Sequence, residues 1–293
     1  KNRTDSAFLP ADFEYYSDMS EKSMNIIKKF ADVFEYVGRD EAYLDVTEKV
    51  ELDFTKASHI AQQIKNEVRE KTKLTCSVGI SPNKLLSKIA SGYKKPDGLT
   101  TVTPDNISEF METLNLGDIH GIGKKTQQKL AAENIETISQ AKSLDIFELI
   151  NMFGRKSGTY IYNAIRGIDD EPVTIRAPML QLSKISTLRK DSVDYAFLEK
   201  SLLELCEKLH LSILKENRMF RTVGIHLTQD DLSTKTRSRM LRNPTLSLDE
   251  LKKVSRQLLK EALEDQSTLI RRLGVKVSEL SDIEGQSDIT SYF

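Results

Sequence analysis

The sequence predicts a multidomain α+β protein, and two observations lead to that fold class. Residues 181–280 follow a strand–helix–strand–strand–helix–strand order, whereas the earlier part first alternates helices with strands and then becomes wholly helical. The 293 residues are enough for two or three domains of about 100–200 residues each. The predicted organisation is an α/β region at 1–102, a helical region at 103–168, a linker at 169–180, a βαββαβ unit at 181–280 and a tail at 281–293.

Hydrophobic periodicity in the first region predicts helices and short strands in alternation. Apolar residues within 21–37 recur at helical spacing and predict an amphipathic helix that Gly38 ends. Residues 42–47 predict a strand, and strict apolar alternation predicts another strand over 74–80, with a helix between them. A short helix over 83–92 follows. This alternation favours a sheet that is covered by helices.

The rest of the chain divides into helices, a linker and the βαββαβ unit. Residues 105–166 are predicted as short helices separated by glycines. Residues 167–180 contain two prolines and show no periodicity, which is typical of a linker. The later unit is predicted as strand 183–189, helix 194–215, strands 220–228 and 233–241, helix 247–264 and strand 269–278.

Charge is distributed unevenly, although the whole chain carries a net charge of −1. Residues 181–280 carry 19 Lys and Arg against 14 Asp and Glu, a net of +5, and the last thirteen residues carry three acids and no base. This division predicts polyanion binding in one region and metal binding in another. No apolar run approaches the ~20 residues of a membrane span, and Cys76 and Cys206 lack metal-ligand spacing, which suits a reducing cytoplasm.

Two adjacent carboxylates, Asp40 and Glu41, stand where the predicted helix gives way to a strand. Adjacent acids repel, so stability gives no reason to pair them, whereas Mg²⁺ prefers hard oxygen ligands. Neighbouring side chains on a regular strand point to opposite faces, so both acids can reach one cation only near a turn, which Gly38 provides. The alternative is a solvated acidic turn.

Residues 79–98 combine a buried strand, a helix N-terminus and a Lys-Lys-Pro-Asp-Gly turn. Helix N-termini attract phosphate groups. Lys95 is held on the turn by Pro96 and is predicted to bind a polyphosphate. The alternative is a basic, solvated helix followed by an ordinary turn.

Residues 117–130 resemble a helix-hairpin-helix motif. Gly121 and Gly123 would form a tight hairpin whose backbone N–H groups face a DNA phosphate without reading sequence. Lys124 and Lys125 add positive charge at the same place. The alternative is an ordinary glycine turn between helices, but the basic residues and the following apolar helix favour DNA binding.

A basic row is predicted on one face of the strand at 233–241. Lys235, Arg237 and Arg239 share one face at a period of two, while Thr234, Thr236 and Ser238 share the other. Such a row suits contact with a phosphate backbone. The alternative is an edge strand whose charges prevent aggregation, and this segment alone does not decide between the two.

The C-terminal residues match the clamp-binding pattern Q-x-x-h-x-x-a-a. Ile289, Tyr292 and Phe293 would form one apolar plug on a short helical turn, with Gln286 in a side pocket. The alternative is a frayed tail. We favour binding, because an apolar plug on a polar tail is unusual.

Together these motifs resemble the Y-family, DNA polymerase IV-like translesion DNA polymerases of the archaeal type. Residues 40–45 look like the family's palm signature, and residues 81–98 look like its second palm block. Residues 121–123 look like the thumb hairpin and 181–280 like the little finger domain. The terminal octapeptide, 286–293, looks like the sliding-clamp motif.

The resemblance implies phosphoryl transfer assisted by two Mg²⁺ ions. Asp40 and Glu41 are then metal ligands, Glu41 is also the catalytic glutamate, and Lys95 neutralises the β- or γ-phosphate of a dNTP. The hairpin residues and the basic row would grip primer–template DNA, and the terminal peptide would dock on a sliding clamp. We expect a monomer in the cytoplasm, at the nucleoid, with no membrane attachment and no proofreading.

Two departures from the family pattern add expectations. Gly38 and Arg39 replace the usual Ser and aliphatic residue, and Arg39 is expected to lower the pKa of the neighbouring acids or to compete with a cation. The family's first strand, with a further metal-binding Asp, and its fingers domain have no counterpart after Lys1, so the palm is partial and one ligand set is incomplete. We therefore expect the 293 residues alone to incorporate no nucleotide. The alternative is an inactive DNA- and clamp-binding fragment, and a cyclase-like palm is disfavoured by the hairpin and the clamp peptide.

Overall fold

A computed structural model describes residues 7, 9–175, 179–264 and 268–283. The chain divides into two compact units, Lys1–Ala177 and Pro178–Phe293. In the described part, no helix is long and apolar enough to cross a membrane.

The first unit contains two small sheets and a series of helices. Its elements are α1 (Phe13–Lys28), β1 (Val33–Gly38), β2 (Glu41–Asp45), α2 (Thr47–Val50), α3 (Phe54–Thr72), β3 (Val78–Ile80), α4 (Lys84–Tyr93), β4 (Leu99–Thr101), α5 (Ile107–Glu112), α6 (Lys124–Ala131), α7 (Ile138–Lys142), α8 (Ile146–Phe153) and α9 (Arg155–Ala164). β1 and β2 form an antiparallel hairpin, and β3 pairs in parallel with β4. Short 3₁₀ turns at Pro104–Asn106 and Leu116–Asp118 connect the later elements.

The helix predicted over 21–37 is wrong in its second half. The helix ends at Lys28, and residues 33–38 form β1. Val33, Phe34, Tyr36 and Val37 are β-branched or aromatic, which favours a strand once a partner strand is present. That partner is β2, whose Leu44 pairs with Phe34. The strand predicted over 74–80 is also shorter, since only Val78–Ile80 pairs with a neighbour.

Two apolar clusters hold the first unit together. Ile26 from α1 packs with Ile64 and Val68 from α3. A larger cluster joins α4 to the following helices and includes the fully buried Leu86, Met111 and Leu149. The predicted helical character of 105–166 is confirmed. Because α4 belongs to this second cluster, the helical region fixes the position of α4 beside the two sheets.

The second unit is an antiparallel sheet with helices on one face. Its elements are β5 (Gln181–Ser192), α10 (Tyr195–Glu216), β6 (Arg218–Gln229), β7 (Thr234–Thr245), α11 (Leu248–Leu263), β8 (Ile270–Ser278) and β9 (Ser281–Asp282). The sheet order is β5-β8-β6-β7, and β9 pairs with β6. The predicted βαββαβ order is confirmed, while β9 was not predicted. Asp194 and Ser247 cap the two helices through their side chains.

The predicted linker contains no helix or strand within its described residues, but its first part is bonded to the first unit. The Asp169 carboxylate accepts a hydrogen bond from the Leu85 N–H at 2.9 Å. The Thr174 N–H donates to Glu35 Oε2 at 2.9 Å. Residues 169–174 therefore belong structurally to the first unit.

Candidate active site and nucleic-acid interfaces

A β-hairpin presents Asp40 and Glu41 at its turn. Gly38 pairs with Glu41, and Arg39 and Asp40 form the turn between β1 and β2. The Ser20 hydroxyl donates to the Arg39 carbonyl at 2.6 Å and fixes this turn against α1. Asp40 is exposed, and Glu41 begins β2 with 42% of its side chain exposed. The acids thus lie where strand alternation is interrupted, as expected for residues that share a cation.

Asp40, Glu41 and Lys95 line one cleft of about 510 Å³. Its apolar wall comes largely from α3 and β2, including Ala61, Ile64 and Leu44. Polar side chains stand at the hairpin and at the turn that follows α4. The structure therefore brings together the two predicted metal ligands and the predicted triphosphate ligand, which are more than fifty positions apart in sequence.

Lys88 on α4 forms an ion pair with Glu41, and sequence reasoning missed it. The Lys88 ammonium donates to Glu41 Oε1. This hydrogen bond is the main cause that lowers the pKa of Glu41, and the charges of Lys88, Lys95 and His120 act in the same direction while burial opposes them. Lys88 lies one helical turn after Lys84, so the sequence alone predicts its place on α4. Its contact with Glu41, which lies 47 positions earlier, cannot be predicted from the sequence.

The Arg39 side chain forms no hydrogen bond or ion pair with Asp40 or Glu41. Its guanidinium lies over the Phe13 ring, 5.7 Å from the ring centroid, on the α1 side of the hairpin. Arg39 therefore stacks against α1, whereas Lys88 on α4 is the cation that contacts Glu41.

Lys95 faces the cleft, and its side chain forms no hydrogen bond or ion pair with any described residue. Its side chain lines the cleft, and its charge lowers the pKa of Glu41. The backbone around it is constrained, because Asp97 has a φ of +54° and a Cβ at Gly98 would lie 2.4 Å from the Lys94 carbonyl oxygen. The turn therefore holds a free ammonium group close to the acid pair.

The N-terminus of α4 is occupied by the chain's own side chains. Asn83 Oδ1 accepts from the Leu86 N–H at 2.9 Å, and Asp169 accepts from the Leu85 N–H. Lys84 is 10% exposed and pairs with Glu35 at 2.9 Å. The N–H groups at this helix end are consequently satisfied in part by Asp169. Lys94 and Lys95 are the cations of this motif whose side chains have no hydrogen bond or ion pair with a described residue, and of the two Lys95 lines the cleft.

Tyr43 is a further cleft residue that sequence reasoning did not select. Burial, followed by the nearby charges of Glu41 and Glu35, raises the pKa of Tyr43 to about 12. The Lys84 ammonium lies 5.1 Å from the centroid of its ring. Its alternation with Leu44 was visible in the sequence, but nothing there distinguished it from a packing residue.

The predicted DNA hairpin adopts a turn that needs glycine. Gly121 has a φ of +87°, and a Cβ there would lie 2.6 Å from Tyr160 Cε1. Ile119 and Ile122 are 1% and 2% exposed and anchor the hairpin in the core. Gly123 caps α6 without any side chain to occupy the helix's first N–H groups. The motif therefore exposes backbone donors at a helix start, which suits a phosphate oxygen.

Lys124 and Lys125 are exposed at the same helix start. Neither side chain forms a hydrogen bond or ion pair with a described residue. The predicted DNA-binding residues of the hairpin, Gly121, Gly123, Lys124 and Lys125, are thus brought together at one exposed edge of the first unit.

The basic row of β7 lies on the face of the sheet that carries the helices. Lys235, Arg237 and Arg239 pair with Leu227, Ile225 and Val223 of β6, and these three apolar partners are buried under α10 and α11. Directly paired residues share a face. Arg239 accordingly reaches α11, where it donates to Gln257 at 2.6 Å and pairs with Glu261 at 2.5 Å. Lys235, Arg237 and Arg239 share one face as predicted. Glu261, however, pairs with Arg239 and neutralises its charge.

The opposite face of the same sheet is polar and basic, and we call it the open face. On β8, the residues of the open face alternate with the buried residues and include Arg272, Gly274 and Lys276. On β6 and β7 it carries Thr222, Gly224, His226, Thr228, Thr234, Thr236 and Ser238. The Lys276 side chain crosses Gly224, where a Cβ would lie 2.9 Å from Lys276 Cε. None of these residues is an acid, so the open face concentrates positive charge.

Asp40 and Glu41 supply oxygen donors that fit part of a divalent-metal site. Among the described residues there is no group of three or more His, Cys, Asp or Glu that could hold a metal ion. The two carboxylates have the hard-donor chemistry that Mg²⁺ requires, but not a full set of ligands. The predicted clamp residues, Gln286, Ile289, Tyr292 and Phe293, lie outside the described residues.

Comparison with known proteins identifies relatives over the whole chain. The impB/mucB/samB family matches residues 1–92, its C-terminal domain matches residues 180–290, and the DNA polymerase-iota thumb domain matches residues 117–169. DNA polymerase IV of Nitrosopumilus maritimus is 64% identical over 293 residues, covering 100% of this chain and 80% of the relative. DNA polymerase IV of Methanosarcina acetivorans is 36% identical over 302 residues, covering 100% of this chain and 81% of the relative.

Solved structures of DNA polymerases are also similar to this chain. The Y-family DNA polymerase chimera Dbh-Dpo4(243-245)-Dbh has a TM-score of 0.88 at 28% identity and covers 95% of this chain and 80% of its own. The insertion ternary complex of Dbh DNA polymerase has a TM-score of 0.64 at 28% identity, covering 94% of this chain and 79% of its own. The chain therefore belongs to the DinB-like Y family of DNA-directed DNA polymerases.

Proposed function

We propose that this chain is a unit of a translesion polymerase, an enzyme that transfers a nucleotide from a dNTP to a primer 3′-hydroxyl opposite damaged template. Because the described residues contain no complete group of metal ligands, we expect no incorporation by the 293 residues alone. The observation that carries the proposal is the shared cleft of Asp40, Glu41 and Lys95. Paired carboxylates beside a free lysine suit a reaction in which a polyphosphate and divalent cations meet. The first unit then comprises palm and thumb, and the second the little finger.

Asp40 and Glu41 would hold two Mg²⁺ ions, which activate the 3′-hydroxyl and neutralise phosphate charge when bound. Asp40 and Glu41 would each supply a carboxylate to this metal site, and Glu41 is also the proposed catalytic glutamate. Lys95 would donate to a β- or γ-phosphate oxygen, which its free ammonium and its position in the cleft allow. The side chain of Tyr43, whose pKa is raised to about 12, is protonated at neutral pH and adds no negative charge beside the acids.

Primer–template DNA is the proposed macromolecular ligand, and a related structure was solved as an insertion ternary complex of a DNA polymerase. The hairpin residues Gly121 and Gly123 would offer backbone N–H groups to one phosphate, with Lys124 and Lys125 adding charge. Support comes from the unoccupied start of α6 and from the exposure of both lysines. This contact would be independent of base sequence.

Within the little finger, two sets of basic residues are candidates for the contact with DNA. The sequence favoured Lys235, Arg237 and Arg239, whereas the register favours the open face with Arg272 and Lys276. We propose the open face, since it has basic and hydroxyl groups without acids. Each lost phosphate contact lowers the salt slope of binding by about 1.

A pair of single substitutions separates these two possibilities. We expect Lys276→Met to weaken binding to primer–template DNA and to lower its salt slope, measured by fluorescence anisotropy over a salt series. Arg239→Met should change both much less, because Glu261 already pairs with Arg239. The reverse order of effects would assign the contact to the basic row of β7.

The C-terminal residues Gln286, Ile289, Tyr292 and Phe293 are proposed to dock on a sliding clamp, on the strength of their spacing. Alanine substitution of Tyr292 and Phe293 together should abolish co-elution with a clamp and leave DNA binding unchanged. Equal clamp binding by the substituted chain would remove this partner. The proposed state is a monomer in the cytoplasm at the nucleoid.

Primer extension tests the proposed chemistry. On undamaged and abasic templates, Mg²⁺-dependent extension that Glu41→Gln abolishes and Glu51→Gln preserves would support catalysis by this chain. Glu51 is a suitable control because its side chain is 78% exposed and pairs with Lys56. DNA binding without any extension would favour the second candidate, an inactive DNA- and clamp-binding unit, which is consistent with the absence of a third acid among the described residues.

A further inference from the structure

Lys65 on α3 is a buried lysine whose ammonium is surrounded by oxygen atoms. Its side chain is 8% exposed. Lys65 Nζ donates to the Cys76 and Asp97 carbonyl oxygens, each at 2.8 Å, and lies 3.3 Å from the Gly98 carbonyl oxygen. It also pairs with Asp97 Oδ1 at 2.5 Å. Lysines are rarely buried unless they are paired, so this environment needs a structural explanation.

The oxygen atoms around Lys65 belong to two chain segments that flank the parallel strands. Cys76 precedes β3, whereas Asp97 and Gly98 form the turn that leads into β4. Arg69, one helical turn further along α3, pairs with the other Asp97 carboxylate oxygen. Lys65 and Arg69 on α3 therefore bind the segments that lead into β3 and β4.

Backbone bonds complete the attachment of this turn. The Val78 N–H donates to the Gly98 carbonyl at 3.0 Å, and the Gly98 N–H donates to Ser77 Oγ at 3.0 Å. Lys65 lowers the pKa of Asp97 chiefly through their hydrogen bond, so the pair persists to a lower pH than the ordinary pKa of an aspartate would allow. The turn is thus fixed against α3 through Asp97.

Lys95 lies two residues before Asp97 and projects into the cleft that contains Glu41. Its side chain has no hydrogen bond or ion pair with a described residue, so no side-chain contact holds it in place. The direction of Lys95 is therefore determined by the backbone of the turn. That backbone is held by Asp97 and Gly98, and both contact Lys65.

We propose that Lys65 is a positioning residue for nucleotide binding: its buried ammonium clamps the 95–98 turn so that Lys95 points at the triphosphate. This inference rests on the proposed function of Lys95. Lys65 itself touches no substrate. An ammonium suits the role, because it can donate to a carboxylate and to carbonyls in different directions, whereas an apolar residue would leave these oxygens unsatisfied.

Nucleotide affinity tests the coupling between the two lysines. The 293-residue chain is bound to primer–template DNA with a dideoxy-terminated primer, and dNTP binding in Mg²⁺ is measured by calorimetry. Lys95→Met should weaken dNTP binding about tenfold, the scale of one charged hydrogen bond. Lys65→Met should weaken it similarly, and Lys65→Met should have no further effect in the Lys95→Met background.

Lys49→Met provides the matched control. Lys49 also donates to a carbonyl, that of Ala31 at 2.7 Å, and pairs with Asp32 at 2.9 Å, but it does not line the cleft. We expect Lys49→Met to leave dNTP affinity unchanged. Amide hydrogen exchange gives a second readout: Lys65→Met and the milder Asp97→Asn should accelerate exchange at Gly98 and Val78 selectively.

Each outcome has a defined consequence. A Lys95→Met variant with unchanged dNTP affinity would refute the triphosphate role of Lys95, and the inference would fall with the proposed function. A Lys95→Met variant that binds weakly, beside a folded Lys65→Met variant that binds normally, would overturn the inference alone. Additive losses in the double variant, or unchanged exchange at Gly98 in Asp97→Asn, would also overturn it.

Discussion

Metal binding at Glu41 should be opposed by Lys88, and replacing this lysine should strengthen it. The Lys88 ammonium contacts the Glu41 carboxylate oxygen that a cation would approach. A divalent ion and the ammonium repel each other, so binding of the ion displaces Lys88. Lys88→Met keeps most of the side-chain length and removes only the competing charge.

The size of this effect follows from the exposure of the ion pair. Glu41 and Lys88 have 42% and 30% of their side chains exposed, so solvent screens their attraction. Partly exposed pairs contribute about 0.2–1 kcal/mol, which corresponds to a roughly 1.4- to 5-fold change in affinity. We expect the dissociation constant for Mn²⁺ to fall by that factor in Lys88→Met.

Electron paramagnetic resonance measures free Mn²⁺ during a titration of the chain and gives the affinity without any need for catalysis. Lys71→Met is the control, because it removes a surface ion pair with Glu67 on α3, where the two side chains are 50% and 24% exposed. Glu41→Gln should lose Mn²⁺ binding. A folded Lys88→Met variant with unchanged or weaker Mn²⁺ affinity would refute the competition.

Two stability predictions follow from the same region. Gly79→Ala should destabilise the chain by about 3 kcal/mol in urea unfolding, because the added Cβ would lie 2.1 Å from the Ser87 carbonyl oxygen. Gly92→Ala is the control and should not destabilise the chain, because there is open space at that position. Equal stability of the two variants would contradict the close packing at Gly79. Lys65 lowers the pKa of Asp97, so the stability from this carboxylate is complete above its ordinary pKa, about 4, and is lost as pH falls through the lower folded value. Asp97→Asn should therefore flatten the acid dependence of unfolding, and an unchanged pH slope would count against the ion pair.

Local sequence patterns predicted the second unit well because its signals are strong and mutually consistent. Alternation in β6 and β8 and capping residues before both helices define each element without reference to distant residues. The helix predicted over 21–37 failed for the opposite reason. Spacings of three and four residues among Phe30, Val33, Phe34 and Val37 fit a helix, and only pairing with β2 reveals the strand.

The candidate site shows the same limit. Residue type, position at a turn and resemblance to the family's palm motifs selected Asp40, Glu41 and Lys95, and the fold places all three on one cleft. Lys88 and Lys65 were missed because their partners lie 47 and 32 positions away in sequence. A lysine's role depends on which oxygen atoms surround it, and composition does not contain that information.

Strand periodicity also left one question open that only packing can answer. A period of two shows that Lys235, Arg237 and Arg239 share a face, but it does not show which face the helices cover. The pairing of these three residues with the buried residues of β6 shows that they lie on the face that the helices cover. This observation changes the residues that we propose to contact DNA.

Two lysines that line the cleft, Lys88 and Lys95, and the buried Lys65 beside it differ in the contacts that hold them, and this difference predicts three distinct phenotypes. Lys65 is buried among protein oxygens, Lys88 pairs with Glu41, and the side chain of Lys95 has no hydrogen-bond or ion-pair partner among the described residues. Loss of Lys65 should therefore reduce both stability and dNTP affinity, since it removes the buried charge of a pair. Loss of Lys95 should reduce dNTP affinity without a stability cost, and loss of Lys88 should strengthen metal binding. A cleft that merely needed positive charge would respond alike to all three substitutions, so divergent responses would establish that each ammonium has a separate task.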